Sequence, residues 1–403
     1  MDKRRVMVIS DYFPDDLSSG RQLRVSNLCQ VLTQAFDCYF VALSESRGSA
    51  KGLDLPLFID MRWFKPPGEA GKHVLRHLRL SNARYVETTW PNYFDSVSGS
   101  LKELCAQWAI DGVVNFAPLL GEFSLTLDLP CLLDITDCDT LTIERVLRNR
   151  GTNMTSAERW KNRLQRHRQV GRESHLVREH SAVTTIAEPD RLRLLELSGA
   201  SSGHVTVVPN GVTADAINRD LGDRPPLRSV VFWGNLDFPP NWTAVEYFYE
   251  RVFLPFLQHE GVEWIIIGKG AGPRVAELAK HPLITLKGYV DDLFGEIAGM
   301  GVMINPMVEG SGLKNKVIES FAVGIPVVST PLGVEAIDGE DGTHFLVASD
   351  DRGFADSILC LLNDPVLRAG ITDEARRLVD RKYTWMSVGA GFSEIVASMV
   401  TSA

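Results

Sequence analysis

The stretch that decides the fold is Asn305–Gly333, which reads NPMVEGSGLKNKVIESFAVGIPVVSTPLG. The stretch begins at the end of an apolar run, VMINP, and continues with a glycine-rich turn. A helical pattern begins at Leu313, with Val317, Ile318 and Phe321 spaced to face a core. A second apolar run, PVVST, comes directly afterwards. Strand, helix and strand in this order predict a βαβ unit of a parallel sheet.

The turn in this stretch has the composition of a phosphate site. Gly310 and Gly312 allow the backbone to approach a ligand closely, and the following helix offers unpaired N–H groups and the positive end of its dipole. Lys314 and Lys316 add positive charge. Glu319, at least one turn into the helix, is placed to accept hydrogen bonds from a ribose diol. Phosphate and ribose together predict a nucleotide, and a glycine turn that only begins a surface helix is the alternative.

The same alternation of strand and helix patterns extends along the whole chain. Further apolar runs are VMVIS, CYFVAL, VVNF, CLLDI, AVTTIA, SVVFWG, VEWIIIG and ITLKG. Strands that are apolar throughout indicate parallel sheets covered on both faces. The polar, proline-bearing segment Asn218–Pro226 is typical of a linker. We therefore predict two doubly wound α/β domains, over residues 1–215 and 216–380, and a helix over 381–403 that returns toward the first domain.

Composition excludes several classes of protein. The 403 residues are 44% hydrophobic and 23% charged, which is enough for two buried cores. A net charge of −9 argues against a dedicated nucleic-acid binder, which needs a surplus of Lys and Arg. The six cysteines include no CxxC pair, which indicates a reducing compartment, and the nine histidines form no HExxH motif, so we predict no metal. No signal-peptide pattern or apolar run of about 20 residues occurs, so we expect a cytoplasmic protein.

One segment, from Arg145 to His180, is locally basic, with 10 basic and 3 acidic residues. Trp160, Leu164, Gly171 and Ser174 lie at helical spacing within it. An amphipathic helix with a solvated basic face accounts for this pattern. The alternative is peripheral docking on the anionic inner face of a membrane, where each basic residue adds about 1 kcal/mol.

Taken together, these segments resemble the retaining glycosyltransferase family 4, also called group 1 glycosyltransferases, which has the GT-B fold. The 305–333 stretch resembles the family signature in a GSG-x-K-x-K variant of its E-x7-E motif, and FWGNLDFPPNWTAVEYF, IIIGKGAG, ITLKGYVDDL and VVPNGV resemble other family segments in the family order. The resemblance covers residues 5–390. It implies two Rossmann-like domains facing across a cleft, a nucleotide-sugar on the C-terminal domain, an acceptor largely on the N-terminal one, and no cofactor or required metal.

The resemblance also implies roles for single residues. Lys316 is similar to a basic residue that contacts the donor diphosphate, Glu319 to the glutamate that holds the ribose, and the backbone of Tyr289 and Val290 to the part that meets the base. The other donor-binding candidates are Gly20, Asn235, Glu309, Gly310, Ser311, Gly312, Leu313 and Lys314. Two of these depart from the family pattern, since Ser311 stands where the first glutamate of E-x7-E falls and Asn235 where a basic residue is usual.

The segment LLDITDCDTL, residues 132–141, resembles the family segment that often carries a histidine or aspartate near the acceptor. Asp137 and Asp139 are therefore candidates to orient or deprotonate an acceptor hydroxyl, and Asp137 is our catalytic candidate beside Lys316. The alternative for this pair is a helix N-cap, which Asp139 or Thr140 is able to form.

The resulting prediction is a retaining glycosyltransferase that moves a hexose-like sugar from a nucleoside-diphosphate sugar to a hydroxyl acceptor, whether polysaccharide, lipid-linked or small-molecule glycoside. Lys316 and the start of its helix would stabilise the charge on the departing diphosphate. A nucleotide-sugar epimerase of the same fold and a non-catalytic nucleotide-sugar-binding module are the alternatives. An NAD-dependent oxidoreductase is weaker, because the glycine-rich GKGAG follows the second strand of its domain rather than the first.

Overall fold

The computed structural model describes residues 3–13, 20–44, 57–67, 83–150, 154–219 and 227–401. The chain divides into two compact units, one formed by Met1–Pro209 with Trp385–Ala403 and the other by Asn210–Thr384. The first boundary thus falls earlier than the 215/216 expected from the sequence. Residues after Pro209 pair within the second unit, since the Val212 N–H donates to Tyr383 O over 2.7 Å. Most of the expected linker lies outside the described residues.

Each unit is built on one parallel sheet. The strands of the first unit are β1 (Arg5–Ser10), β2 (Asp37–Leu43), β3 (Met61–Phe64), β4 (Gly112–Asn115), β5 (Cys131–Thr136), β6 (Ala182–Thr185) and β7 (Val205–Val207). Those of the second are β8 (Ser229–Trp233), β9 (Glu263–Ile267), β10 (Ile284–Lys287), β11 (Val302–Asn305), β12 (Val327–Ser329) and β13 (Leu346–Val347). The apolar runs predicted as strands are confirmed, and the partly exposed β3 and the two-residue β13 were not predicted.

Helices connect these strands. In chain order they are α1 (Gly20–Ala35), α2 (Tyr85–Thr89), α3 (Pro91–Trp108), α4 (Gly121–Ser124), α5 (Asp139–Arg150), α6 (Ser156–Glu179), α7 (Glu188–Ser198), α8 (Ala214–Ile217), α9 (Pro239–Phe248), α10 (Pro273–Leu278), α11 (Leu293–Ile297), α12 (Asn315–Val323), α13 (Pro331–Val334), α14 (Asp351–Asn363), α15 (Pro365–Leu378) and α16 (Trp385–Thr401). A π-helical turn, Tyr249–Leu257, continues α9.

Strand order locates a crevice in each sheet. The first sheet runs β3-β2-β1-β4-β5-β6-β7 and the second β10-β9-β8-β11-β12-β13. In each sheet the chain begins at a central strand, β1 or β8, adds strands on one side and then adds strands on the other side. The change of side, at which the strand order reverses, falls between β1 and β4 in the first unit and between β8 and β11 in the second. Ligands of doubly wound sheets bind outside the carboxyl ends of the strands at this reversal.

Burial explains why the strands are apolar throughout. In the second unit, residues from both faces of the sheet are buried, such as Val230 and Phe232 on one face, against α9 and α14. In the first unit, α16 packs on α1, and its Val388, Phe392 and Val396 belong to the same core cluster as Leu28 of α1. The hydrophobic effect at these buried side chains, each stabilising by about 1.5–3 kcal/mol, holds the layers together.

One buried ion pair crosses the first unit. Arg24 of α1 donates from Nε and Nη2 to the two carboxylate oxygens of Asp134 on β5, over 2.8 and 2.7 Å. Thr184 of β6 also donates to this carboxylate. Because both charged groups are about 1% exposed, removing either one leaves the other charged and buried.

Candidate functional site

The candidate site lies in the second unit, at the reversal of its strand order. Strand β8 ends at Trp233 and its neighbour β11 ends at Asn305. The loop 306–314 then leads into α12, so the glycine-rich turn lies at the carboxyl edge of the sheet, where a doubly wound domain binds its ligand. The predicted phosphate turn and the topological crevice therefore coincide.

The turn depends on glycine at two positions. Gly310 has φ of 103° and Gly312 has φ of 70°, both in the left-handed region that other residues avoid. Helix α12 begins at Asn315, with Lys314 as its N-cap, rather than at Leu313 as expected. The Lys314 ammonium explains the later start, because it donates to Ser311 O (2.6 Å) and Gly312 O (2.9 Å) and so folds the turn back on itself.

Lys316 is buried in the first turn of α12. Its Nζ donates to Asn241 Oδ1 over 2.9 Å and lies 3.9 Å from the centre of the Phe232 ring. Burial, and then the neighbouring Lys314 charge, lower the pKa of Lys316 to about 7 against the opposing effect of Glu319. Because an opposite charge favours the charged form of a titratable group, an anion bound beside Lys316 would raise its pKa and favour the protonated form.

Glu319 lies on the same face of α12, one turn further along. The indole Nε1 of Trp233, the last residue of β8, donates to Glu319 Oε2 over 3.0 Å. Burial raises the pKa of the Glu319 carboxyl, while the Trp233 hydrogen bond and the Lys316 charge act in the opposite direction. The site therefore holds a lysine and a glutamate whose side chains are each hydrogen-bonded to a neighbour on α9 or β8.

The other donor-binding candidates lie on the same edge of this sheet. Glu309, Gly310, Gly312 and Leu313 are buried in the loop after β11, and Ser311 is partly exposed there. Asn235 is exposed in the turn after β8. Tyr289, which is 74% exposed, and the half-buried Val290 follow β10. The structure thus places these residues after β8 and β11, which border the crevice, and after β10, the edge strand of the same sheet.

The two remaining candidates belong to the first unit. Gly20 is the first residue of α1, the helix that follows β1 in the chain. Asp137 is exposed and follows β5, whose last residue, Thr136, has φ of 61°. A threonine in the left-handed region costs about 1–3 kcal/mol, and such strain clusters at functional sites. The strained residue lies next to the acid that we selected from the sequence.

The alternative role of Asp139 or Thr140, as the N-cap of α5, is wrong. Asp139 is already the first residue of α5, and its carboxylate accepts from Gln169 Nε2 over 3.0 Å. The amides at the helix start are bound instead by Glu173 of α6, which accepts from Asp139 N over 2.7 Å and also from Thr140 N. Burial raises the pKa of Glu173 to about 7. The cap comes from a residue 34 positions away, which local sequence patterns do not reveal.

Two residues of the second unit were missed as site residues. Asn241 and Trp233 stand within the segment FWGNLDFPPNWTAVEYF, but nothing in that segment indicates that they bind Lys316 and Glu319. Their partners lie on α12, more than 70 residues further along the chain. The only available signal was the topology, which brings the ends of β8 and β11 together.

The basic segment forms the second half of α5 and the whole of α6. A capping box between Thr155 and Glu158 begins α6, which continues to Glu179. Its buried residues, among them Leu176 and Val177, lie in its C-terminal half, whereas Trp160 is 67% exposed near its start, beside exposed Lys161 and Arg163. Trp160 therefore does not join the buried face that its spacing with Ser174 suggested.

The ranges of residues that the structure describes offer neither a membrane span nor a metal site. Within these ranges, no helix is both long enough and apolar enough to cross a bilayer. Across the same ranges, three or more His, Cys, Asp or Glu side chains nowhere come together in a way that could hold a metal ion.

Comparison with known sequences gives matches in the second unit and beyond it. Residues 228–364 match the family model described as Glycosyl transferases group 1. The phosphatidyl-myo-inositol mannosyltransferase of Mycobacterium leprae (strain TN) is 29% identical over 232 residues, which are 54% of this chain and 59% of that protein. The enzyme of the same name from Mycolicibacterium smegmatis is 32% identical over 220 residues, or 51% and 54%. This chain spans little more than half the length of these curated relatives.

Solved structures match over nearly the whole chain. Anabaena Alr3699/HepE in complex with UDP and glucose has a TM-score of 0.67 at 12% identity, over 98% of this chain and 100% of that one. Sucrose-phosphate synthase from Thermosynechococcus elongatus has a TM-score of 0.68 at 15% identity, over 100% of both chains. The predicted fold class is confirmed: this chain has the GT-B fold, and the match of residues 228–364 to group 1 glycosyl transferases supports a GT4-like glycosyltransferase.

Proposed function

We propose that this protein is a retaining glycosyltransferase that transfers a sugar from a nucleoside-diphosphate sugar to a hydroxyl acceptor. The observation that carries the proposal is the pairing of Lys316 and Glu319 on one face of α12, directly after a left-handed glycine turn at the switch point of the sheet. A cation at a helix N-terminus binds diphosphate, and a carboxylate one turn later binds ribose diols. The UDP in the solved Anabaena structure and the mannosyltransferase relatives agree with such a donor.

In this proposal the transfer occurs on one face of the sugar. The bond from the anomeric carbon to the β-phosphate oxygen breaks, and the bond to the acceptor oxygen forms on the same side. The acceptor proton passes to the departing diphosphate. Lys316 and the amides of Gly312 and Leu313 stabilise the negative charge that grows on that diphosphate, and this is where electrostatic catalysis has most to gain. Asp137, beside the strained Thr136, orients the acceptor hydroxyl.

The two departures from the family pattern and the metal requirement are part of the same proposal. The GSG-x-K-x-K variant replaces the first glutamate of E-x7-E by Ser311, and Asn235 leaves one position without a basic residue. Of the two buried lysines in this stretch, we assign Lys316 to the diphosphate, since the Lys314 ammonium donates to the carbonyls of Ser311 and Gly312. Because the protein itself supplies this charge, we propose that transfer needs no metal ion, which turnover measured with and without EDTA will test.

The acceptor is the least constrained partner. The relatives are named for phosphatidyl-myo-inositol, so a lipid-linked acceptor is the first to test. The exposed Trp160, with Lys161 and Arg163 beside it, would favour contact with an anionic surface. Pelleting with vesicles of phosphatidylglycerol and phosphatidylcholine, at low and high salt, tests this contact. A lack of salt-sensitive binding would remove it.

The decisive experiment for function has two stages. Thermal shift with UDP-, GDP-, ADP- and dTDP-sugars identifies the donor, since a bound ligand raises Tm by mass action. NMR of the product then gives the anomeric configuration, and we expect retention. Inversion would refute the stereochemical part of the proposal. Interconversion of the nucleotide-sugar without acceptor would indicate an epimerase, and binding with neither transfer nor hydrolysis would indicate a binding module.

A further inference from the structure

A single buried amide connects the cation of the candidate site to the turn after β8. Asn241, in the first turn of α9, is 9% exposed. Its Oδ1 accepts from Lys316 Nζ over 2.9 Å, and its Nδ2 donates to Asn235 O over 2.9 Å. Both ends of the amide are therefore engaged, one by the ammonium and the other by the carbonyl of the turn.

These two hydrogen bonds fix which way the amide points. An ammonium group only donates and a carbonyl oxygen only accepts, so the amide oxygen must face Lys316 and the amide nitrogen must face Asn235. The amide nitrogen also lies against the Gly234 backbone, since a Cβ added at Gly234 would lie 2.8 Å from Asn241 Nδ2. Glycine at position 234 is thus what allows the amide to lie against the end of β8.

The surroundings of the ammonium make this acceptor important. Lys316 lies over the face of Phe232, on β8, and its charged neighbours on α12 are Lys314 and Glu319. Phe232 and Asn241 are neutral, and the hydrogen bond of Trp233 goes to Glu319 rather than to Lys316. The Asn241 oxygen is thus the hydrogen-bond acceptor that stabilises the charged form of this lysine in the described structure.

We propose that Asn241 is a positioning residue of the donor site: its amide, held by the Asn235 carbonyl, fixes the Lys316 ammonium in the place and the charge state in which it meets the diphosphate. This inference rests on the proposed function. Asn241 itself does not touch the reacting atoms.

The proposal predicts opposite effects for two substitutions. Asn241→Leu keeps a similar volume but removes the acceptor, which disfavours the charged lysine and lowers the pKa of Lys316. Asn241→Asp places a carboxylate beside the ammonium and raises that pKa. Diphosphate binding needs the ammonium, so affinity falls as pH rises through the range where Lys316 loses its proton. The midpoint of that fall moves down in the leucine variant and up in the aspartate variant.

The test is isothermal titration of the full-length protein with UDP and with GDP, from pH 6 to 9. We expect Asn241→Leu to weaken binding at pH 8 at least about tenfold, the effect of losing one hydrogen bond to a charged group, and to move the midpoint to lower pH. Asn241→Asp should move the midpoint to higher pH, whatever its affinity. A purely structural role would weaken binding equally at every pH and would leave the midpoint in place.

Asn363→Leu is the matched control. Asn363 Oδ1 accepts from Arg228 just before β8, at the opposite edge of the same sheet, so its loss removes a hydrogen bond to a charged group at an exposed position away from the site. Its midpoint should equal that of the wild type. Coinciding midpoints in the wild type and both Asn241 variants would overturn the inference alone. Failure of the wild type to bind either nucleotide would overturn the proposed function and this inference with it.

Discussion

Trp233 and Glu319 join the two sides of the switch point in the second unit. The indole at the end of β8 donates to the carboxylate on α12 over 3.0 Å, across the gap between β8 and β11 where the strand order reverses. A carboxylate held in this way is oriented before any ligand arrives. Pre-organisation of this kind lowers the entropic cost of binding a ribose.

Removing the indole N–H should therefore weaken nucleotide binding. We expect Trp233→Phe, which keeps a buried ring, to raise the Kd for the donor nucleotide about tenfold, or about 1.4 kcal/mol. Glu319→Gln should weaken binding at least as much, because it removes the charge as well. Isothermal titration measures both. An unchanged Kd in the two variants would show that Glu319 does not hold the ribose.

Lys316 should affect turnover more than stability. In Lys316→Met an apolar chain of similar length still packs on Phe232, whereas the charge that meets the diphosphate is lost. We expect kcat to fall about 10²–10³-fold, as when one electrostatic contact of a transition state is removed. Lys280→Met, which changes an exposed lysine paired with Glu277, is the matched control and should leave kcat unchanged. Equal kcat in the two variants would contradict the role of Lys316.

The lowered pKa of Lys316 predicts how the free energy of unfolding depends on pH. Its pKa is about 7 in the folded protein and near 10.5 when unfolded, so between these values the unfolded chain binds more protons. The free energy of unfolding should therefore rise with pH across this window, because the cost of burying the ammonium disappears. Denaturant titrations of the ligand-free protein at pH 7 and pH 9 measure the rise. It should be smaller in Lys316→Met, and an identical rise would mean that Lys316 titrates normally.

The raised pKa of Glu173, in the first unit, predicts that the free energy of unfolding depends on pH with the opposite sign. Burial raises the pKa of this carboxyl to about 7 from about 4.5, so between these values the folded protein binds more protons. The free energy of unfolding should fall as pH rises through this window, and the cost of the buried charge is fully present above pH 7. Glu173→Gln keeps an oxygen for the α5 amides and removes that cost.

The free energy of unfolding of Glu173→Gln is measured at two pH values, with one control variant. We expect Glu173→Gln to raise the free energy of unfolding at pH 8 by on the order of 1–3 kcal/mol more than it does at pH 5. Glu179→Gln, on the same helix but more than half exposed, should show no such difference. The same effect of Glu173→Gln at both pH values would show that the buried carboxyl does not titrate near neutrality.

Much of the fold could be predicted because burial on both faces makes parallel strands uniformly apolar. The runs VMINP and PVVST became β11 and β12, and α12 between them buries Val317, Ile318 and Phe321 as their spacing predicted. The helix start was missed by two residues, since the side chain of Lys314 binds the carbonyls of the turn. Such a contact depends on the conformation of the turn rather than on its composition.

The part of the candidate site that the residues alone indicated lies close together in sequence, whereas Asn235, Tyr289 and Val290 were named from the family resemblance. Lys316 and Glu319 share one helix with the glycine turn, so a short stretch contained the whole pattern. Asn241 and Trp233 bind these residues from elsewhere in the chain, and the caps of α5 come from α6 and α7. Hydrogen bonds between distant segments follow from topology and exact geometry, which a single sequence does not specify.

The most direct test of the central claim is a crystal structure of the protein grown with UDP, and separately with GDP. We predict diphosphate oxygens within about 3 Å of Lys316 Nζ and of the amides at Gly312 and Leu313, and ribose hydroxyls that donate to Glu319. A nucleotide bound in the first unit would contradict this account, and so would one held in the second unit without contact to Lys316 or Glu319.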